Sequence, residues 1–235
     1  MHYFMDRLVN KAIQKSQTER IAKLKVRTWS PDITISRDPG SGGKVVATKL
    51  AKKLGWQLFD KPLILKLSEE LGIPVSEVAE VDEVGRSWFA DFFQSIFNSD
   101  YVSDIRYIRQ LKKLLSLAAK NGDLVILGHG ANLILPADKC LRVRITASFK
   151  TRVENTYKYE NKQSIYEATE HVEKIGRKYN QFIRQYFGVN PHNPWNYDLV
   201  ISTDHLSLDQ VADLVIEAYK TKFPKESKRL KIKTS

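Results

Sequence analysis

The chain has 235 residues, 42% of them apolar, a formal net charge of +11 and one cysteine. That length suits one domain with an accessory segment, and the apolar share is ordinary for a core-forming chain. The single Cys140 excludes a disulfide framework or a thiolate metal cluster, no apolar run approaches the roughly 18 residues of a membrane span, and the charged residues 1–25 lack the apolar centre of a secretory signal, so a cytoplasmic protein is expected.

In chain order, residues 1–24 show a loose helical spacing of apolar positions, ended by Ser30-Pro31. Residues 33–36 (Ile-Thr-Ile-Ser) read as a short buried strand, and 43–54 as a helix with Val46, Leu50 and Leu54 four apart, stopped by Gly55. A second strand follows at 57–59, then helices at about 61–71 and 75–81. Residues 88–107 carry Trp88, Phe89, Phe92, Phe93, Phe97, Tyr101 and Tyr107; aromatics spaced by three and four suit a helix packing on the domain, and base stacking is the alternative. An amphipathic helix at 108–119 closes on Asn121-Gly122. Strands are expected at 124–127, 141–146 and 197–202, and helices at 149–159, 165–186 and 206–222. Five short strands alternating with helices imply an α/β fold with a parallel, doubly wound sheet, in which ligands bind at the carboxyl ends of strands.

The most informative segment is Arg37-Asp38-Pro39-Gly40-Ser41-Gly42-Gly43-Lys44, a glycine-rich turn between strand and helix. Backbone N–H groups in such a turn and the positive end of the helix point at one spot, and glycine lets an anion approach the backbone. The strict phosphate-loop pattern needs Gly, four residues, Gly-Lys, then Ser or Thr. Anchored on Gly43-Lys44, Asp38 replaces the first glycine and Val45 the hydroxyl that normally helps hold Mg²⁺. The main-chain amides between Arg37 and Val45 are therefore expected to seat a polyphosphate; the bland alternative is a tight strand-to-helix connection. Asp60, the Gly128-His129-Gly130 turn and Thr146-Ala147-Ser148 all fall at expected carboxyl ends of strands. The five histidines, His2, His129, His171, His192 and His205, form no ligand-spaced pair, so no resident metal is expected.

With these pieces in order, the chain resembles the cytidylate kinase-like family, a branch of the P-loop nucleoside monophosphate kinases, over about residues 32–220. The matching segments are 35–44, 56–60, 125–131, 144–148 with Arg152, and 197–203. The resemblance implies a P-loop NTPase fold with helical lid and monophosphate-binding insertions, and ATP- and Mg²⁺-dependent phosphoryl transfer to a nucleoside monophosphate, CMP or dCMP first. It implies that Gly40, Ser41, Gly42, Gly43 and the following Val45 present amides to ATP, with Lys44 the loop cation or, in a register shifted by one, Lys44 reaching back or Arg37 substituting. Arg152 matches the first lid arginine and Arg184 lies in the other lid-like helix, while Asp60 and Arg109 match residues of the monophosphate site. His129, also expected to bind the substrate and able to meet a phosphate when protonated, stands where relatives carry arginine, Asn155 where a second lid arginine is common, and Gly176 where a lid aspartate is usual.

These pieces organise the chain as a basic helical extension (1–30), a nucleoside monophosphate kinase-like domain (31–223) and a basic tail (224–235). Residues 1–29 carry seven Lys/Arg against Asp6 and Glu19, and 225–235 carry five against Glu226. Such ends can make weak nucleic-acid contacts or serve as solvated tails. The departures leave a second reading open, a catalytically degenerate nucleotide-binding module acting through a partner, and the basic ends a third, a nucleic-acid-associated protein. Small-molecule nucleotides are the expected ligands and no membrane is; oligomeric state is not readable.

Overall fold

Five runs of β-branched and aliphatic residues form five parallel strands, β1 (Asp32–Arg37), β2 (Gln57–Phe59), β3 (Leu124–Leu127), β4 (Cys140–Thr146) and β5 (Leu199–Ser202), in the order β2-β3-β1-β4-β5. This computed structural model describes residues 30–60, 108, 111, 112, 115, 116, 118, 119 and 122–232. The chain divides into two compact units, Ser30–Phe59 with Ile108–Ser235, and Met1–Trp29 with Asp60–Tyr107; of the latter only Asp60 is described. The expected helices at 1–24, 61–71 and 75–81 and the aromatic stretch 88–107 lie outside the described residues.

All four residues of β3 and the first five of β1 are buried, which accounts for strands that are apolar on both faces rather than alternating. β1 is the middle strand, flanked by β3 and β4, so the chain leaving it enters the crevice where successive connections part to opposite sides. In open α/β sheets that is where ligands bind.

Among the described residues the helices are α1 (Gly43–Leu54), α2 (Ala131–Ile134), α3 (Phe149–Tyr159), α4 (Ile165–Phe187) and α5 (Leu208–Lys222); residues 108, 111, 112, 115, 116, 118 and 119 are also helical, with Ile108, Leu111 and Leu115 buried. Val46, Leu50 and Leu54 of α1 join Val211, Val215 and Tyr219 of α5 in one core with β1, β3 and β4. Each such side chain, fully buried, stabilises by about 1.5–3 kcal/mol. Val153 of α3 packs with Ala168 and Val172 of α4 in a separate patch. Cys140 is wholly buried and its thiol is pushed up to about 12, chiefly by burial, so it is a core residue.

β1 is one residue longer at each end than expected and β4 begins one residue earlier, at Cys140; three further boundaries differ for local reasons. β5 begins at Leu199 because Asn193 caps a 3-10 turn, Pro194–Asn196, and the Tyr197 hydroxyl donates to Pro191 O at 2.8 Å, which turns that residue into a loop anchor. α5 begins at Leu208 because Ser207 and Gln210 form a reciprocal capping box. α4 runs one residue further, to Phe187, and ends on Gly188 in a left-handed conformation. Downstream of α5, part of the basic tail is held: Glu226–Arg229 forms a 3-10 turn and Leu230 packs against the core.

Candidate functional site

The glycine turn leaves the carboxyl end of β1 and enters α1 through Gly42, which caps the helix with φ 77°. Gly40 is also left-handed, at φ 76°, and a Cβ there would overlap the Arg152 carbonyl of α3. Both positions therefore require glycine for conformation or for space.

The carbonyls of this turn are tied to protein donors. Asp38 O accepts the Ser41 hydroxyl at 2.8 Å, Gly40 O accepts Asn155 Nδ2 at 2.9 Å, and Ser41 O accepts the Thr203 hydroxyl at 3.0 Å. The donors divide. Asp38 N–H is committed to Ile145 O at 3.0 Å and Ser41 N–H to Asp38 O at 3.2 Å. The first intrahelical bond of α1 runs from Val46 N–H to Gly42 O, at 3.1 Å, and no side chain caps the helix. The amides of Gly43, Lys44 and Val45 thus have no intrahelical acceptor. A turn whose acceptors are tied off and whose helical donors are open suits an anion.

Asp38 is held below the turn. Its Oδ1 accepts Arg144 Nη2 at 2.6 Å and its Oδ2 accepts the Thr146 hydroxyl at 2.6 Å, both partners on β4. Arg144 is buried and also meets the Tyr197 hydroxyl, at 3.3 Å, and His192 Nδ1, at 3.1 Å. Burial and Arg144 lower the His192 pKa below its usual range, Asp38 opposes this, and Arg184 and Arg152 lower it further. Three arginines from β4, α3 and α4 therefore act on one imidazole beside the glycine turn.

Of the residues named from the sequence, Lys44 is the second residue of α1 and is exposed, as is Val45. Ser41 is buried, with its hydroxyl and amide both turned into the loop. Arg37 packs where Cβ atoms on Gly43 and Gly128 would sit. Arg152 Nε donates to Ala147 O at 3.2 Å, with its guanidinium 5.4 Å from the Phe149 ring centroid. Arg184 is exposed in the last turn of α4. His129 is buried, with φ 59°, and burial followed by Arg37 lowers its pKa to about 3, so it meets any ligand as a neutral imidazole. Asp60 directly follows β2 and is partly buried, while Arg109 lies outside the described residues. Among the described residues no three His, Cys, Asp or Glu side chains come together as a cation site.

Sequence reasoning placed Asp38 in the glycine turn and Thr146 at a strand end without giving either a role, and it did not single out Arg144, Thr203 or His192 as site residues. It also missed a buried polar chain beside the turn, in which the Tyr179 hydroxyl donates to Ser36 Oγ at 3.4 Å and Ser36 Oγ donates to Asn132 Oδ1 at 3.1 Å. A polar residue at the buried end of a strand was the available signal for Ser36. Asn132 lies in a four-residue helix too short to show periodicity.

Comparison with known proteins follows the same outline. The sequence pattern described as the cytidylate kinase-like family matches residues 32–205. A cytidylate kinase from Saccharolobus islandicus is 24% identical over 187 residues, covering 78% of this chain and 88% of that protein. A uronate isomerase from Corynebacterium glutamicum is 28% identical over 126 residues, 54% of this chain, but the chain spans only 24% of that protein's length. An uncharacterised protein from Eubacterium ventriosum shares the fold with a TM-score of 0.59 at 19% identity, covering 82% of this chain and 99% of the other.

Proposed function

Since the chain belongs to the cytidylate kinase-like family, with the P-loop α/β fold that its sheet order and glycine turn display, we propose that it is a kinase that transfers the γ-phosphoryl group of ATP to a nucleoside monophosphate, with CMP or dCMP the first acceptors to test. The observation that carries this reading is the turn itself: carbonyls of Asp38, Gly40 and Ser41 tied to protein donors, and amides of Gly43, Lys44 and Val45 without intrahelical acceptors.

Phosphoryl transfer needs positioning and charge neutralisation more than covalent help from the protein. Here the first-turn amides of α1 seat the β- and γ-phosphates, and Lys44 supplies a compact cation beside them. Arg152 and Arg184 face the moving phosphoryl from α3 and α4. On the acceptor side, Asp60 and Arg109 hold the monophosphate, a bidentate guanidinium being the natural partner of a phosphate. His129 adds a neutral hydrogen-bonding group where relatives have a cation, which favours an acceptor preference different from theirs. An oxygen of the acceptor phosphate forms the new bond to the γ-phosphorus as the bond to the β-bridging oxygen breaks, leaving ADP and a diphosphate.

The residues present suit magnesium carried on the nucleotide. Asp38 is engaged by Arg144 and Thr146, Asp204 accepts from Ser148 and Ser202, and Val45 offers no hydroxyl, so these side chains would leave most of the ion's ligands to the nucleotide and water. Carried in on the nucleotide, Mg²⁺ would supply neutralisation of phosphate charge.

Purified protein with ATP, Mg²⁺ and a panel of nucleoside and deoxynucleoside monophosphates should form diphosphates. Turnover no faster than that of an Arg152→Ala variant for every acceptor would remove the proposal. The second reading, a nucleotide-binding module without catalysis, draws on Val45 and on Asn155, whose side chain is committed to Gly40 O. ATP binding by calorimetry with no transfer to any acceptor would select it.

A further inference from the structure

The loop between α4 and β5 is built around one imidazole. His192 N–H donates to Asn190 Oδ1 at 3.1 Å, Asn196 Nδ2 donates to Asn190 O at 2.8 Å, and the Tyr197 hydroxyl donates to Pro191 O at 2.8 Å. The backbone on both sides of His192 is thereby fixed by its own loop. The ring presents Nδ1 to Arg144 Nη2 at 3.1 Å, and the same guanidinium nitrogen contacts Asp38 at 2.6 Å.

A guanidinium carries only donors, so Nδ1 accepts and the proton of the neutral ring sits on Nε2; the tautomer is assigned from this partner. Protonating Nδ1 would set two positive groups against each other, in keeping with the lowered pKa. Arg144 contacts this ring directly and the charges of Arg184 and Arg152 also bear on it, whereas Asp38, the carboxylate that acts on it among the described residues, is already engaged by Arg144 and Thr146. Gathered cations repel one another, and an anion joining them relieves that repulsion. His192 is an exposed residue, and the described contacts of its ring occupy Nδ1.

We propose that His192 is an anion-contacting residue of this site, that Arg144 confines its proton to Nε2, and that it donates this N–H to the polyphosphate held by Arg152 and Arg184. The identity of the anion rests on the kinase reading above; the tautomer does not.

Two substitutions separate the donor from the acceptor. In H192Q the amide nitrogen falls near the position of Nε2 and preserves the donor. In H192N the amide oxygen falls near Nδ1, which preserves the Arg144 contact and removes the outer donor. Calorimetric titration of the full chain with inorganic tripolyphosphate and with magnesium ATP should leave H192Q within about threefold of wild type and weaken H192N by roughly tenfold, the effect of one hydrogen bond to a charged group. Long-range ¹H–¹⁵N spectra of the wild type should show the proton on Nε2 and a shift of that resonance on adding tripolyphosphate.

The opposite order, with H192N like wild type and H192Q weakened, would make His192 only a structural acceptor for Arg144 and overturn the proposal. A proton found on Nδ1 would overturn it without any ligand. If wild type binds tripolyphosphate and loses it on Lys44→Met, but neither His192 variant differs, this inference fails and the kinase reading stands. If wild type binds neither ligand, both fail.

Discussion

Arg144 Nη2 lies 2.6 Å from Oδ1 of Asp38, the residue that occupies the first-glycine position of the phosphate-loop pattern. The pair joins β4 to the turn after β1, and its side chains are 4% and 12% exposed. What looks in the sequence like a defect of the loop is a fixed point: a carboxylate gripped from the neighbouring strand, with the carbonyl of the same residue holding Ser41. Removing one member of a buried pair leaves an uncompensated charge, at a cost of about 3–5 kcal/mol. Arg144→Met should lower stability by that amount in urea unfolding, and Asp38→Asn in the same chain should restore part of it. Equal midpoints for wild type and Arg144→Met would show that the pair does not hold the turn.

How much was legible in the sequence depended on whether the signal was local. α1, β2, β3 and α3 begin and end at the expected residues, because Gly42 and Gly55 bracket α1, apolar runs bounded by Asp and Gly define β3, and Ser148 caps α3. The starts of β5 and α5 shifted by two residues because Asn193 and Ser207 engage nearby backbone, a choice that apolar patterning does not register. At the site, the glycine turn was visible because its residues are contiguous. The Asp38–Arg144 pair was not, since its members stand 106 residues apart and no local pattern links them. His192 was one histidine among five, and only the fold brings Arg144 to within 3.1 Å of it.

Lys44 separates binding chemistry from stability. Its side chain is exposed on the first turn of α1, no ion pair to its ammonium occurs among the described residues, and the bond from Thr48 uses its backbone carbonyl. Methionine has nearly the same helix propensity, so Lys44→Met should change stability by less than about 0.5 kcal/mol. If Lys44 neutralises charge on the moving phosphoryl, turnover should fall by roughly 10²–10³. Thermal melts and steady-state rates on one preparation check both halves, and unchanged turnover would remove Lys44 from the machinery.

Gly40 and Asn155 test the same junction between the turn and α3 from opposite sides. Gly40→Ala places a Cβ in the left-handed region, at roughly 1–2 kcal/mol, and against the Arg152 carbonyl as well. Asn155→Ala removes one partly buried hydrogen bond to Gly40 O, worth about 1 kcal/mol. The glycine substitution should therefore be the more damaging in denaturant unfolding and should weaken ATP binding further than Asn155→Ala does. An order reversed in both measurements would mean that α3 yields freely and that the close approach is not required.

Asp32, at the start of β1, sets a pH dependence of the fold. It is fully buried, Oδ1 accepts the Leu124 N–H at 3.1 Å, and Oδ2 has no hydrogen-bond partner among the described residues. Burial raises its pKa to about 8, the Leu124 N–H opposing and Asp123 adding to the rise. In the unfolded chain the same carboxyl ionises near pH 4. Above that value the unfolded state gives up the proton while the folded state keeps it, so the stabilisation present below pH 4 is lost progressively up to about pH 8. Asp32→Asn retains an oxygen for Leu124 and cannot ionise. It should match wild type near pH 4 and become more stable than wild type as the pH rises, by on the order of 5 kcal/mol at pH 8. Urea midpoints for both proteins across pH 4–8 measure this. A difference that stays constant over the range would mean that Asp32 is already ionised in the folded protein, with a partner for Oδ2.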